Sequence, residues 1–224
     1  MTITPSVIVF DVNETLSDMG PLAEAFSQAG MPESLTRPWF AELLRDGFAL
    51  TAAGDNPDFA DLAKDTLHRL LTQTSGPGNY QRHVGDIMGA FTNLALHADV
   101  APGITALSRV ADLVTLSNGA TSVAESLLTR GGVQNEFKGF LSVQDALRWK
   151  PAREAYDYAA TATGHPVDEL LLVAVHPWDI HGAHAAGLRT AWINRTGATY
   201  PSYFTAPDIE AEDLVALAGI LTAP

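Results

Sequence analysis

Four apolar residues, Val7-Ile8-Val9-Phe10, run without a polar break into Asp11. A run this short, largely β-branched and apolar at every position, fits a strand buried on both faces of a parallel sheet. The pattern recurs at Leu113-Val114-Thr115-Leu116 before Ser117-Asn118-Gly119, and at Leu170-Leu171-Leu172-Val173-Ala174-Val175 before His176-Pro177-Trp178-Asp179. Each run delivers its polar cluster at its C-terminal end. Helical segments are expected at Thr121 to Arg130, at Ala152 to Thr163 with Pro151 as the helix starter, and at Gly182 to Gly187 leading into Thr190-Ala191-Trp192-Ile193. Strand, loop and helix in succession predict a doubly wound α/β sheet, whose ligands bind beyond the carboxyl ends of the strands.

From about Met19 to Asp99 that rhythm breaks. Helical patterns such as Phe40-Leu43-Leu44 and Leu62, Thr66, Leu67, Leu70, Leu71 appear there without a convincing buried strand. Asp55-Asn56-Pro57 and Ser75-Gly76-Pro77-Gly78 punctuate the stretch as turns. The expected organisation is a catalytic core from residues 1–18 and 100–224, with residues 19–99 inserted as a helical cap. The 224 residues suit one catalytic-size unit. With 13 Lys and Arg against 26 Asp and Glu, the formal net charge of −13 disfavours nucleic acid and anionic membrane surfaces as partners. The absence of Cys removes thiol nucleophiles, thiolate metal sites and disulfides together. Met1 to Ser6 lacks the basic start of a signal peptide and no long apolar span follows, so a cytoplasmic protein without a membrane partner is expected.

An Asp at a strand's carboxyl end, with loop N–H groups near it, can be held ionised and aimed at a substrate carbon or phosphorus. Asp11 has that place, although a loop-capping role would equally explain it in isolation. Three further clusters fall at equivalent strand ends: Ser117 and Asn118 offer a hydroxyl and an amide, Lys150 a cation just before a helix, and Asp179 a second carboxylate.

Taken together, the opening Asp11-x-x-x-Thr15-Leu16, the Leu116-Ser117-Asn118-Gly119 motif, Lys150-Pro151 with Tyr156 six residues after the lysine, and Trp178-Asp179 followed by Gly182-Ala183 resemble the haloacid dehalogenase superfamily, in its L-2-haloacid dehalogenase (type II) branch. The resemblance covers nearly the whole chain. It implies an α/β fold with a modified Rossmann-like parallel sheet core and an inserted helical cap, and a nucleophilic Asp11.

Most members of that superfamily are magnesium-dependent phosphatases, and two features separate this chain from them. The Asp that usually stands two residues after the nucleophile, and protonates a leaving alkoxide, is here Asn13. An amide cannot supply that proton, whereas a halide needs none. The final motif, His176-Pro177-Trp178-Asp179, carries one carboxylate where phosphatases pair two acids around magnesium. The resemblance therefore implies hydrolytic dehalogenation of small 2-haloalkanoic acids to 2-hydroxy acids through an aspartyl ester, with inversion at the substrate carbon and with no metal and no cofactor. A magnesium-dependent phosphatase of a small metabolite and a catalytically silent binding protein of the same fold are the alternatives.

By the same resemblance Lys150 pairs with Asp11 and Asp179, Asp179 activates water, Thr15 and Ser117 hold the site, and Arg45 and Asn118 bind the leaving halide. Tyr156 and Trp178 line the pocket with Asn13 and His176. The alternatives are that Arg45 is a surface charge, Tyr156 and Trp178 core aromatics, and His176 loop scaffolding. The sequence departs from the family pattern at Asn13, where a Tyr is frequent, at Ala174, where a serine is usual, and at His176, where an asparagine is usual. The expected partner is a small halogenated carboxylic acid. Between monomer and homodimer the sequence does not choose.

Overall fold

A computed structural model describes residues 5–223 of the chain, so most of the Met1 to Ser6 stretch read for a leader lies outside the described residues. Six strands, β1 (Val7–Phe10), β2 (Asp112–Ser117), β3 (Phe137–Ser142), β4 (Leu170–Ala174), β5 (Arg189–Ile193) and β6 (Ile209–Ala211), form one parallel sheet in the order β3-β2-β1-β4-β5-β6. The helices are α1 (Leu22–Gln28), α2 (Thr36–Ala53), α3 (Phe59–Ser75), α4 (Gln81–Thr92), α5 (Val100–Leu107), α6 (Thr121–Arg130), α7 (Val143–Ala146), α8 (Arg153–Thr163), α9 (Pro177–Ala186) and α10 (Leu214–Thr222).

The central strand β1 pairs with β2 on one side and β4 on the other, with Phe10 opposite both Thr115 and Val173. The chain winds outward from β1 in both directions, which places a topological switch point at the carboxyl ends of β1, β2 and β4. Being central, β1 has no polar face: all four of its residues are buried. Ile8 and Phe10 share a core with Leu113, Leu171 and Val173 of neighbouring strands and with Ile104, Leu107, Leu214 and Leu217 of α5 and α10. Burying each such side chain is worth about 1.5–3 kcal/mol, which makes this cluster the main anchor of the sheet.

The chain divides into two compact units, Met1–Ser17 with Ala95–Pro224, and Asp18–Leu94. The sequence pattern predicts the second crossing at 99/100. Ala95 to Asp99 falls with the sheet because Leu96 bridges Ser17 and the His97 N–H donates to the Leu16 carbonyl at 3.0 Å. The helical unit, α1 to α4, has a core of its own. Trp39 is buried with its ring edge-on to Phe91 at 6.1 Å and near Phe26 at 5.7 Å, and its indole N–H donates to Thr66 Oγ1 at 3.0 Å.

Two expectations are corrected at the level of elements. Helix α9 begins at Pro177, five residues before the expected Gly182, because Pro177 takes the first helical position. Helix α8 begins at Arg153, so Pro151 is not its starter; it follows a cis Lys150–Pro151 bond, two residues upstream. Strands β3 and β6 and helices α5 and α10 complete a core for which the sequence patterns gave only the inner strands and α6, α8 and part of α9.

Candidate active site

Asp11 is the first residue past β1, and its N–H donates to the Val173 carbonyl at 3.0 Å, extending the strand pairing by one step. The chain then turns sharply, with the N–H groups of Leu16 and Ser17 both donating to the Val12 carbonyl. That turn brings Thr15 back over Asp11. Its hydroxyl donates to Asp11 Oδ2 at 2.7 Å and accepts from the Val175 N–H at 3.1 Å.

Lys150 reaches the same carboxylate from the loop before α8. Its ammonium donates to Asp11 Oδ1 at 2.9 Å and to Asp179 Oδ2 at 2.6 Å, with the Trp178 ring centroid 5.9 Å away. Lys150 and Asp179 have no solvent exposure at all, and Asp11 has 5%. Asn118, just past β2, fixes the lysine's backbone: its Oδ1 accepts from the Lys150 N–H at 2.9 Å and its Nδ2 donates to the Lys150 carbonyl at 3.3 Å. Ser117 accepts from the Gly119 N–H at 2.9 Å, and Ser142 at the end of β3 donates to the Gly119 carbonyl at 3.0 Å. The loop carrying Asn118 is thereby tied to both flanking strands.

Asp179 lies in the first turn of α9, and its second oxygen, Oδ1, accepts from the Tyr156 hydroxyl at 2.6 Å. Tyr156 comes from α8, which approaches α9 closely at Gly182, where a Cβ would sit 2.5 Å from Pro151 Cβ and 2.7 Å from the Tyr156 oxygen. Only glycine leaves the hydroxyl its place.

His176 stands at the cap position of α9. Its Nδ1 lies 3.1 Å from Asp11 Oδ2 and its Nε2 lies 2.8 Å from Glu14 Oε2, while its ring stacks on Trp178 at 5.0 Å.

The charges follow from this geometry. Burial opposes ionisation of Asp11, but the Lys150 ammonium and the His176 donor outweigh it and hold its carboxyl well below the usual range. Burial likewise opposes the His176 charge, yet its bonds to Asp11 and Glu14 push its pKa up to about 9, so both ring nitrogens carry protons at neutral pH. Asp179 moves the other way: burial and the charge of Asp11 raise its pKa despite Lys150. A strongly ionised carboxylate and a more basic one, 2.9 and 2.6 Å from one shared cation, suit a nucleophile and a general base respectively.

Over its sequence the chain is 28% identical to an (S)-2-haloacid dehalogenase of Pseudomonas sp. (strain YL) across 215 residues, covering 94% of this chain and 91% of the relative. It is 27% identical to haloacetate dehalogenase H-2 of Moraxella sp. (strain B) across 207 residues, covering 90% and 91%. The crystal structure of the L-2-haloacid dehalogenase RSc1362 superposes with a TM-score of 0.89 at 26% identity, covering 98% of this chain and all of that one. Over nearly all of its length the chain is similar to L-2-haloacid dehalogenases of the haloacid dehalogenase superfamily. No family model matches it.

Within that superfamily a magnesium ion is common, and the donor set here does not fit one. The point between Asp11 and Asp179 where a cation would sit is filled by the Lys150 ammonium, and all four carboxylate oxygens already accept from protein donors. Among the described residues no group of three or more acidic or histidine side chains is placed to hold a metal.

Of the residues singled out in the sequence, Asp11, Thr15, Lys150, Asp179, His176 and Trp178 share one cluster, with Tyr156 and Asn118 directly behind it. The last two differ from expectation in what they touch. Tyr156 is wholly buried with its hydroxyl committed to Asp179, and the Asn118 amide is engaged by the Lys150 backbone. Asn13 is half-buried in the turn after β1. Arg45 belongs to α2 of the helical unit, where its exposed guanidinium pairs with Asp46 at 2.9 Å and with Glu42 at 3.7 Å. Ala174, at the buried end of β4, offers no hydroxyl.

Two groups were not anticipated. Glu14 holds His176, and Arg195 donates to the Thr15 carbonyl at 3.0 Å while gripping both oxygens of Asp99 at 2.8 and 2.9 Å. Glu14 stands inside the opening motif, three residues past Asp11, but its link to His176 spans 162 residues and leaves no local trace.

Proposed function

We propose that this chain hydrolyses small 2-haloalkanoic acids to 2-hydroxy acids; the relatives it matches are named as an (S)-2-haloacid dehalogenase and a haloacetate dehalogenase. The observation that carries the reading is the buried Lys150 ammonium bonded at once to Asp11 and Asp179. It keeps one carboxylate ionised for attack while leaving the other as base. In the first step an Asp11 oxygen forms a bond to the substrate carbon as the carbon–halogen bond breaks, and the halide leaves with the electron pair. In the second, water activated by Asp179 attacks the Asp11 carbonyl carbon and releases the hydroxy acid. Arg45 is assigned to the leaving halide on the family pattern, and Trp178 and Asn13 to the pocket wall. Because the substrate carbon is displaced once, an (S)-2-haloacid gives the (R)-2-hydroxy acid.

The deciding experiment is a single turnover in oxygen-18 water with enzyme in excess over 2-chloropropionate. The expected result is an unlabelled first product and an Asp11 peptide heavier by one oxygen-18. Label in the first product with none in that peptide would make Asp11 a base rather than a nucleophile. Halide release that survives excess EDTA separates this reading from a magnesium-dependent phosphatase.

A further inference from the structure

The two oxygens of Asp11 are not equivalent. Oδ1 accepts one hydrogen bond, from Lys150, whereas Oδ2 accepts from Thr15 at 2.7 Å and faces His176 Nδ1 at 3.1 Å. An oxygen already holding two donors is the poorer nucleophile, so Oδ1 makes the bond to carbon and Oδ2 becomes the ester carbonyl. When water adds to that carbonyl, negative charge develops on Oδ2, where two donors already point.

We propose that His176, together with Thr15, forms the oxyanion site for hydrolysis of the Asp11 ester, and that Glu14 is the positioning residue that aims the imidazole. This rests on the dehalogenase reading above and assigns its second step. Water's oxygen bonds to the Asp11 carbonyl carbon, one of its protons passes to Asp179, and the carbonyl electron pair moves onto Oδ2. The intermediate collapses as the bond from the carbonyl carbon to Oδ1 breaks, and the departing alkoxide, beside Lys150, takes the proton back from Asp179. Asp11 is left as a carboxylic acid, which ionises and releases the proton that accompanies the halide.

Glu14 is built for this task in a way that chance does not explain. It is one of two non-glycine residues among those described with a positive φ, 60°. That left-handed conformation costs on the order of 1 kcal/mol for a residue with a Cβ, so its surroundings must enforce it. They do: the Glu14 N–H donates to Ser17 Oγ at 3.3 Å and the Glu14 carbonyl lies 3.0 Å from His97 Nε2. The twisted backbone sends the carboxylate to His176 Nε2, which leaves Nδ1 protonated toward Asp11. The charged groups around the imidazole are Asp11 and Glu14 in contact with it, Asp179 one turn along α9, and Lys150 on the other oxygen of Asp11.

Rapid-quench kinetics on chloroacetate test the assignment. His176→Gln is expected to release one equivalent of chloride per enzyme in a fast first phase, then turn over about 100-fold more slowly than wild type, the usual cost of losing an oxyanion donor. The quenched Asp11 peptide should carry the ester mass. Glu14→Gln should slow turnover less than His176→Gln does and lose activity at a lower pH than wild type, since the imidazole gives up its proton sooner without the carboxylate. A His176→Gln enzyme with slow first-phase chloride and no accumulated ester would overturn the proposal, as would unchanged turnover, and either would leave the dehalogenase reading standing. Failure of the wild type to release halide from any 2-haloacid would instead sink that reading and this step with it.

Discussion

Asn118 and Lys150 lock each other's position: the asparagine amide both accepts from and donates to the lysine backbone, across 32 residues of sequence. The ammonium can span Asp11 and Asp179 only because its backbone is held in this way. Asn118→Ala leaves a buried N–H and a buried carbonyl without these partners, a loss of about 2–4 kcal/mol. A lower urea midpoint together with reduced halide release is the expected outcome. An unchanged midpoint would show that the Lys150 backbone is held by other contacts.

Tyr156→Phe removes one of the two donors to Asp179 and leaves the fold's packing in place. That hydrogen bond lowers the Asp179 pKa, so its loss raises the pKa further. The carboxylate is then protonated over more of the acid range. The acid limb of the rate profile should move to higher pH, with turnover down by about 10-fold, within the range of a general-base contribution. A profile superimposable on wild type would mean that Asp179 is not the base.

Gly182→Ala is a small change with a large expected effect. The added methyl would meet Pro151 Cβ at 2.5 Å and the Pro151 carbonyl at 3.0 Å as well as the Tyr156 hydroxyl. Overpacking of this kind costs about 1–3 kcal/mol, and relief requires α8 and α9 to separate. Thermal denaturation should show the loss, and activity should fall with it because Tyr156 is drawn off Asp179. A stable, fully active variant would show that the helices part without disturbing the pair.

Stability should also report on His176. Its pKa is about 9 in the folded chain against an ordinary value near 6.5, so the folded state binds its proton more tightly. That contribution, about 3 kcal/mol, is complete below pH 6.5 and disappears as pH rises through 9. The urea midpoint of the wild type should fall across this window, and His176→Gln should flatten the fall. A wild-type curve flat from pH 6 to 9.5 would contradict a charged imidazole.

Legibility in the sequence followed burial on both faces. Strands β1, β2 and β4 are wholly or almost wholly buried and read as continuous apolar runs. Strand β3, at the sheet edge, is buried only at its two ends, carries Gly139, and slips register against β2 between Leu113 and Val114, so no period survives in its sequence. Strand β6 has three residues, too few for any pattern. Within the site, the residues at strand ends were visible because the fold class dictates where ligands bind. Glu14 was not, since its role depends on a backbone conformation that side-chain type does not announce. For Asn118 and Tyr156 the residue types were visible but not which partner would claim them.

The bridge between Ser17 and Leu96 ties together the two points at which the chain leaves and rejoins the sheet-bearing unit. An excursion whose ends are already joined imposes a closure entropy that grows only with the logarithm of its length. The helical unit can therefore be lengthened, shortened or exchanged at little thermodynamic expense to the sheet. Selection can vary the helical unit without having to rebuild the bonds that hold Asp11, Lys150 and Asp179 together.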